Sequence, residues 1–212
     1  MSVANRFRFA VFGLGNPGSQ FVGTRHNVGF SVVERLASEL RAEWHDGSTA
    51  QCVYATHDGP HVRTWRKRQD ATPESEAAGD ACVLYLAKPQ TFMNRSGLAV
   101  RAFADRFHVP HRNILVVVDD INLPLGKLRL RQTGSSGGQK GLESIARHLD
   151  SDRFDRLKLG VGRQPGDNAA DYVLSRFPSH ERELVDDTLR LATSAIAVWL
   201  EHGCLAAMNR YN

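Results

Sequence analysis

Cysteine is scarce and unpatterned in this 212-residue chain: Cys52, Cys82 and Cys204 are far apart and never fall in C-x-x-C spacing. That excludes a disulfide framework and a zinc knuckle, and it points to a reducing, cytoplasmic compartment. The nine histidines are scattered, with no H-E-x-x-H and no His/Cys cluster, so no metal is expected. Long apolar runs are also missing. The longest unbroken aliphatic stretch, Ile114 to Val118, is five residues, against roughly 20 needed to cross a bilayer, and membrane insertion is not expected. Arg6 and Arg8 precede an apolar run that ends at Gly13, too short for a signal-peptide core. No fixed-period repeat or linker is present, so one domain over residues 1–212 is the expectation.

What is present is an ordinary globular composition, 42% hydrophobic, with 27 Lys+Arg against 23 Asp+Glu and a net charge of +4. Residues 7–14 read as a strand, and 28–40 repeat apolar residues at the helical period. Residues 51–56 and 61–65 flank Asp58-Gly59, a hairpin signal, and 81–87 supply another strand. Residues 69–80 hold Asp70, Glu74, Glu76 and Asp80 without a basic residue and read as an exposed acidic loop. Residues 96–107 are helical by pattern, 114–120 form an apolar strand ending in two acids, and 126–131 alternate Lys/Leu/Arg/Leu/Arg. A short helix over 141–149, a strand over 156–161 and a long amphipathic helix over 179–202 complete the pattern. Alternating strands and helices predict an α/β domain with a mixed, twisted sheet covered by helices. In such folds the site lies beyond the carboxyl ends of the strands, where Gly13–Asn27, Gln90–Asn94 and Asp119–Pro124 fall.

Gly13-Leu-Gly-Asn-Pro-Gly18 fits the G-x-G-x-x-G of a dinucleotide turn. A phosphate-cradling turn needs a helix to begin inside it, however, and Pro17 lacks an N–H while the helical period starts only near Val28. A dinucleotide cofactor is therefore not expected. The basic residues Lys127, Arg129, Arg131, Lys140, Arg147 and Lys158 gather around the second half of the presumed site. They read either as a solvated face or, beside a glycine-rich loop, as a phosphate-binding surface. The tract Arg63–Arg68 borders the acidic loop and reads as a hairpin edge.

Continuing past Gly18, the chain carries T-R-H-N-V-G at 24–29, then K-P-Q-T-F-M-N-R-S-G at 88–97, D-D-I-N-L-P-L-G at 119–126, G-S-S-G-G-Q-K-G-L at 134–142 and L-K-L-G-V-G at 157–162. In these motifs it resembles the bacterial-type peptidyl-tRNA hydrolase family over nearly its whole length. The resemblance implies a single-domain, usually monomeric α/β enzyme that cleaves the ester between a peptide and the 3' end of tRNA without a cofactor. It implies His26 as general base, with Asp119 orienting the imidazole; Asp120 is a rival for that role by spacing alone. An imidazole, with an ordinary pKa of about 6.5, suits a base working near neutral pH.

Asn16 and Asn94 match positions that contact the peptide or its carbonyl, Met93 one that lines the peptide site, and Arg131 and Lys158 positions that hold tRNA. Arg129 joins these through the alternation of its strand. Asparagines also serve as turn residues, and Met93 equally suits a core. Two departures from the family pattern stand out. Gln139-Lys140 stands where the family commonly has His-Asn, the Asn being assigned to water or substrate; Lys140 is expected to support binding more than chemistry. Phe21, counted with Asn16, Met93, Asn94 and Lys140 among the substrate-binding residues, replaces a frequent Tyr, keeping the ring and losing one hydrogen bond, a change on the order of 1 kcal/mol. The altered Gln139-Lys140 pair also suits a non-catalytic RNA-binding protein on the same fold, similar to a plant organelle splicing factor.

Overall fold

The computed structural model describes residues 7–59, 82–162 and 168–212. Seven strands form one mixed sheet: β1 (Phe7–Gly13), β2 (Trp44–Gly47), β3 (Cys52–Gly59), β4 (Cys82–Pro89), β5 (Ile114–Asp120), β6 (Leu128–Arg131) and β7 (Asp155–Gly160), in the order β2-β3-β4-β1-β5-β7-β6. The centre, β4-β1-β5-β7, is parallel, while β2, β3 and β6 pair antiparallel at the two sides. The apolar runs of β1, β4 and β5 are almost wholly buried because helices cover both faces.

Five helices accompany the sheet among the described residues: α1 (Val28–Glu39), α2 (Ser96–Arg106), α3 (Lys140–Leu149), α4 (Ala169–Leu174) and α5 (Arg182–Tyr211). Alternation along β1 sends Phe9 and Val11 into the cluster under α1 and α5, and Ala10 and Phe12 into the cluster under α2 and α3. Each face has an aromatic anchor: Phe9 meets Trp199 edge-on at 5.8 Å, and Phe12 meets Phe103 at 5.4 Å.

Two expectations change. Asp58 and Gly59 do not form a turn; they continue β3, paired with Val83 and Cys82, since the ladder to β4 offers their backbone groups partners as far as Gly59. The strand expected over 61–65, the basic tract 63–68 and the acidic loop 69–80 lie outside the described residues. The C-terminal helix runs past residue 202 to Tyr211, with non-helical backbone at Gly203. One 18-residue window in the Ser179–Tyr211 segment reaches a mean hydropathy of 1.3, enough by length and composition to span a bilayer, which a search for unbroken aliphatic runs overlooks. Half of that window is buried inside the protein, where Ala192, Ala195, Ile196 and Trp199 join the core.

The glycines of the first motif have a packing role. A Cβ on Gly13 would lie 2.1 Å from the Gly29 carbonyl oxygen, and one on Gly29 would lie 2.5 Å from the Leu14 backbone. Two bare backbones therefore touch where β1 delivers the chain to α1. The intervening residues form 3-10 turns at Ser19–Phe21 and Arg25–Asn27, and the first α-helix begins only at Val28. On the opposite face α2 and α3 approach just as closely, with the Gly97 N–H donating to Ser144 Oγ at 3.0 Å.

Candidate active site

The carboxyl ends of β1, β4 and β5 open into a cavity of about 860 Å³, completed by the glycine-rich loop before α3 and by α4. His26 comes from the 3-10 turn before α1, and its Nδ1 lies 2.8 Å from Asp119 Oδ2 on β5. The carboxylate is 4% exposed and the imidazole 16%, so the pair is anchored on its inner side and open toward the cavity. His26 Nε2 has no hydrogen-bond partner among the described residues, which leaves it available to a ligand or water.

Alternation on β5 sends the two acids to different partners. Asp119 reaches His26, whereas Asp120 pairs with Lys158 at 3.2 Å.

Asn16 is nearly buried, and each of its ends has a separate task. Its backbone exchanges hydrogen bonds with the Asn27 side chain at 2.8 and 3.0 Å, and its Oδ1 accepts from the Met93 N–H at 2.8 Å. Its Nδ2 donates to none of the described residues and remains for a ligand in the cavity that Asn16 lines. Met93 is buried beside it, while Asn94 is exposed on the same wall. Phe92, Ile121, Val173 and Leu174 make the remaining wall apolar.

Phe21 is not part of the lining. Its ring stands edge-on to that of Phe92 at 6.3 Å. Lys140 lines the cavity at the start of α3 and is exposed. Arg129 and Arg131 point outward from β6, an edge strand apart from the cavity. The outer edge of β6 is closed at Leu130, whose N–H and carbonyl both bond the Asn212 side chain. Lys158 is largely buried beneath the glycine-rich loop, between Asp120 and the Ser136 carbonyl at 3.5 Å.

Sequence reasoning missed two residues here. Gln139 caps α3 with its side-chain oxygen and reaches Asp119 Oδ1 with Nε2 at 2.9 Å; the departure from the family pattern marked the position without revealing this contact. Arg25, next to His26, is buried between the rings of Tyr172 and Phe177, each 4.5 Å from its guanidinium, and Nη1 bonds Glu181 at 2.7 Å. Its backbone N–H donates to Ser175. Arg25 thus ties the His26 turn to the α4 wall, and only its place beside His26 could have singled it out.

No group of three or more His, Cys, Asp and Glu side chains that could hold a metal occurs among the described residues. The arrangement offers an oriented imidazole with a free nitrogen, uncommitted amide donors and an apolar wall, which together suit water-mediated cleavage of an acyl bond.

Comparison with known proteins agrees with this chemistry. The family model described as Peptidyl-tRNA hydrolase matches residues 10–212. The Peptidyl-tRNA hydrolase of Synechocystis is 41% identical over 204 residues, covering 95% of this chain and 94% of that protein. That of Clostridium botulinum is 36% identical over 204 residues, covering 96% and 95%. The crystal structure of peptidyl-tRNA hydrolase from Acinetobacter baumannii superposes with a TM-score of 0.80 at 28% identity, covering 99% of this chain and 96% of that one. With its mixed α/β sheet and a family match that runs from residue 10 to residue 212, the chain belongs to the peptidyl-tRNA hydrolase family.

Proposed function

We propose that this protein hydrolyses the ester between a peptide, or an N-acylated amino acid, and the 3' end of tRNA, with His26 as general base and Asp119 holding the imidazole. The observation that carries this reading is the 2.8 Å contact between His26 Nδ1 and Asp119 Oδ2, with Nε2 turned free. A carboxylate on Nδ1 selects the tautomer whose Nε2 lone pair can accept a proton. Nε2 takes a proton from water as the water oxygen attacks the acyl carbon. The carbonyl electrons move onto oxygen, where the amide groups of Asn16 and Asn94 donate. Collapse of the tetrahedral species expels the ribose 3' oxygen, which recovers the proton from the imidazolium. The products are a free carboxylic acid and tRNA.

The apolar wall of Phe92, Met93, Ile121, Val173 and Leu174 suits the peptide side of the substrate. Lys140, at the cavity rim, and Arg129 and Arg131, on the exposed side of β6, suit its phosphates. Lys158 acts on the nucleic acid through the loop it supports, because its ammonium is already held by Asp120. The protein works as a monomer in the cytoplasm and needs no cofactor.

The test is release of an N-acylated amino acid from tRNA by the purified protein without added metal or cofactor, with His26→Ala alongside. Turnover that falls at least about a hundredfold in the variant supports the mechanism. Tight, salt-sensitive tRNA binding without any turnover by the native chain would replace it with the RNA-binding reading.

A further inference from the structure

Gln139 sits at the junction of the glycine-rich loop and α3 with both ends of its side chain engaged. Its Oε1 accepts from the backbone N–H groups of Gly141 at 2.5 Å and Leu142 at 3.3 Å. Its Nε2 donates to Asp119 Oδ1 at 2.9 Å and lies 3.4 Å from Met93 Sδ. Because the helix amides can only donate, the oxygen must face them, and the NH₂ must therefore face the carboxylate. Asp119 is then held at both oxygens, Oδ1 by Gln139 and Oδ2 by His26.

We propose that Gln139 is a positioning residue: it joins the N-terminus of α3 to the Asp119–His26 pair and fixes the carboxylate plane that aims the imidazole. The proposal rests on the reading of His26 as the base. An amide suits this place because it donates without carrying a charge. A histidine there, common in the family, would add a second titrating ring beside the carboxylate. With Gln139 the relay contains one imidazole only.

Helix capping alone would also explain a glutamine at this position, and Gln139→Glu separates the two roles. A carboxylate still accepts from the helix amides and is favoured at a helix N-terminus. It cannot donate to Asp119 when ionised, and it sets a second negative charge beside it. The other charged residues lining the cavity are Arg95, Asp120 and Lys140, with Asp120 paired to Lys158.

The experiment measures kcat and KM for N-acylaminoacyl-tRNA across about pH 5 to 8, with melting temperatures, for the native chain, Gln139→Glu and His26→Ala. For Gln139→Glu, assayed where it is fully folded, the expected result is a melting temperature somewhat below native, because two carboxylates now face each other beside α3, and a kcat about tenfold lower with KM within about twofold. The ascending limb of its pH profile moves upward, because added negative charge favours the imidazolium. A native kcat and native limb in Gln139→Glu, with His26→Ala inactive, would reduce Gln139 to a cap and overturn the proposal. Native turnover by His26→Ala would remove the general-base reading and this inference with it. If Gln139→Glu does not fold, Gln139→Met decides. Assayed where it is fully folded, a loss of about tenfold in kcat supports positioning, and a kcat within about twofold of native overturns it.

Discussion

Asp119 and Asp120 are consecutive on β5 yet serve different partners: Asp119 bonds the His26 imidazole at 2.8 Å, and Asp120 holds the Lys158 ammonium at 3.2 Å. The two-residue period of a strand forces the separation, since adjacent side chains leave on opposite faces.

The two acids therefore respond differently to the same isosteric change. Asp119→Asn keeps the shape but lets the imidazole settle in the wrong tautomer, and kcat should fall about a hundredfold or more with KM little changed. Asp120→Asn frees Lys158 beneath the glycine-rich loop and should alter KM for tRNA while kcat changes less than about tenfold. Steady-state kinetics on N-acylaminoacyl-tRNA decides between these outcomes, and equal kcat losses would show that the division of roles is wrong.

Arg25 should be needed both for stability and for the shape of the site. Its removal leaves the part-buried Glu181 without its guanidinium and takes the cation from between Tyr172 and Phe177, a loss of about 1–3 kcal/mol. Arg25→Met should lower the urea midpoint accordingly and raise KM by loosening α4. Arg25→Lys should recover little, since an ammonium cannot lie flat between two rings as a guanidinium does. Urea titrations of both variants measure this.

Gly13→Ala should fold poorly. The new Cβ would sit 2.1 Å from the Gly29 carbonyl oxygen and 2.8 Å from Val33 Cγ2, so β1 and α1 would have to separate at the point that launches the His26 segment. Overpacking of this kind costs about 1–3 kcal/mol or more. Thermal unfolding should show the loss, whereas alanine at Gly23, whose added Cβ would meet nothing within 4 Å, carries no steric clash but does carry the strain of a positive φ. Gly23→Ala should therefore be the milder of the two.

Burial pushes the Cys52 thiol up from its ordinary 9.0 to about 12, and burial also raises Cys204. Above pH 9 the unfolded chain releases a Cys52 proton that the folded chain retains, so the folded state binds more protons and stability falls as pH rises. The contribution is fully present below pH 9 and is lost between 9.0 and about 12. Urea unfolding at a series of alkaline pH values should show this decline, and it should be shallower in Cys52→Ala. Thiol reagents at pH 8 should reach Cys52 only after unfolding, because the side chain is fully buried.

Much of the fold was legible in the sequence because burial writes a period into it. The helices over 28–39, 96–106 and 140–149 carry apolar residues at the helical period, and the strands over 7–13 and 114–120 carry short apolar runs that are buried on both faces. Where burial leaves little pattern, elements went unread: β2 is mostly exposed, and α4 has no buried residue. Asp58-Gly59 misled because turn chemistry describes what two residues permit, while their strand identity depends on pairing with β4.

For the site, the amino-acid sequence alone determined which residue types and motifs are present and that their loops follow consecutive strand ends. The family resemblance those motifs carry is what singled out His26, Asp119, Asn16, Met93 and Asn94, and all five line one cavity. Only the tertiary structure decided which partners they keep. It turned Asp119 rather than Asp120 toward His26, set Phe21 against Phe92 outside the cavity lining, committed Lys158 to an ion pair and brought Gln139 and Arg25 into contact with the centre. Such contacts join residues as far apart as 93 and 156 positions in the chain. Their geometry depends on strand order and helix approach, and local periodicity records which face a side chain takes without recording what waits there.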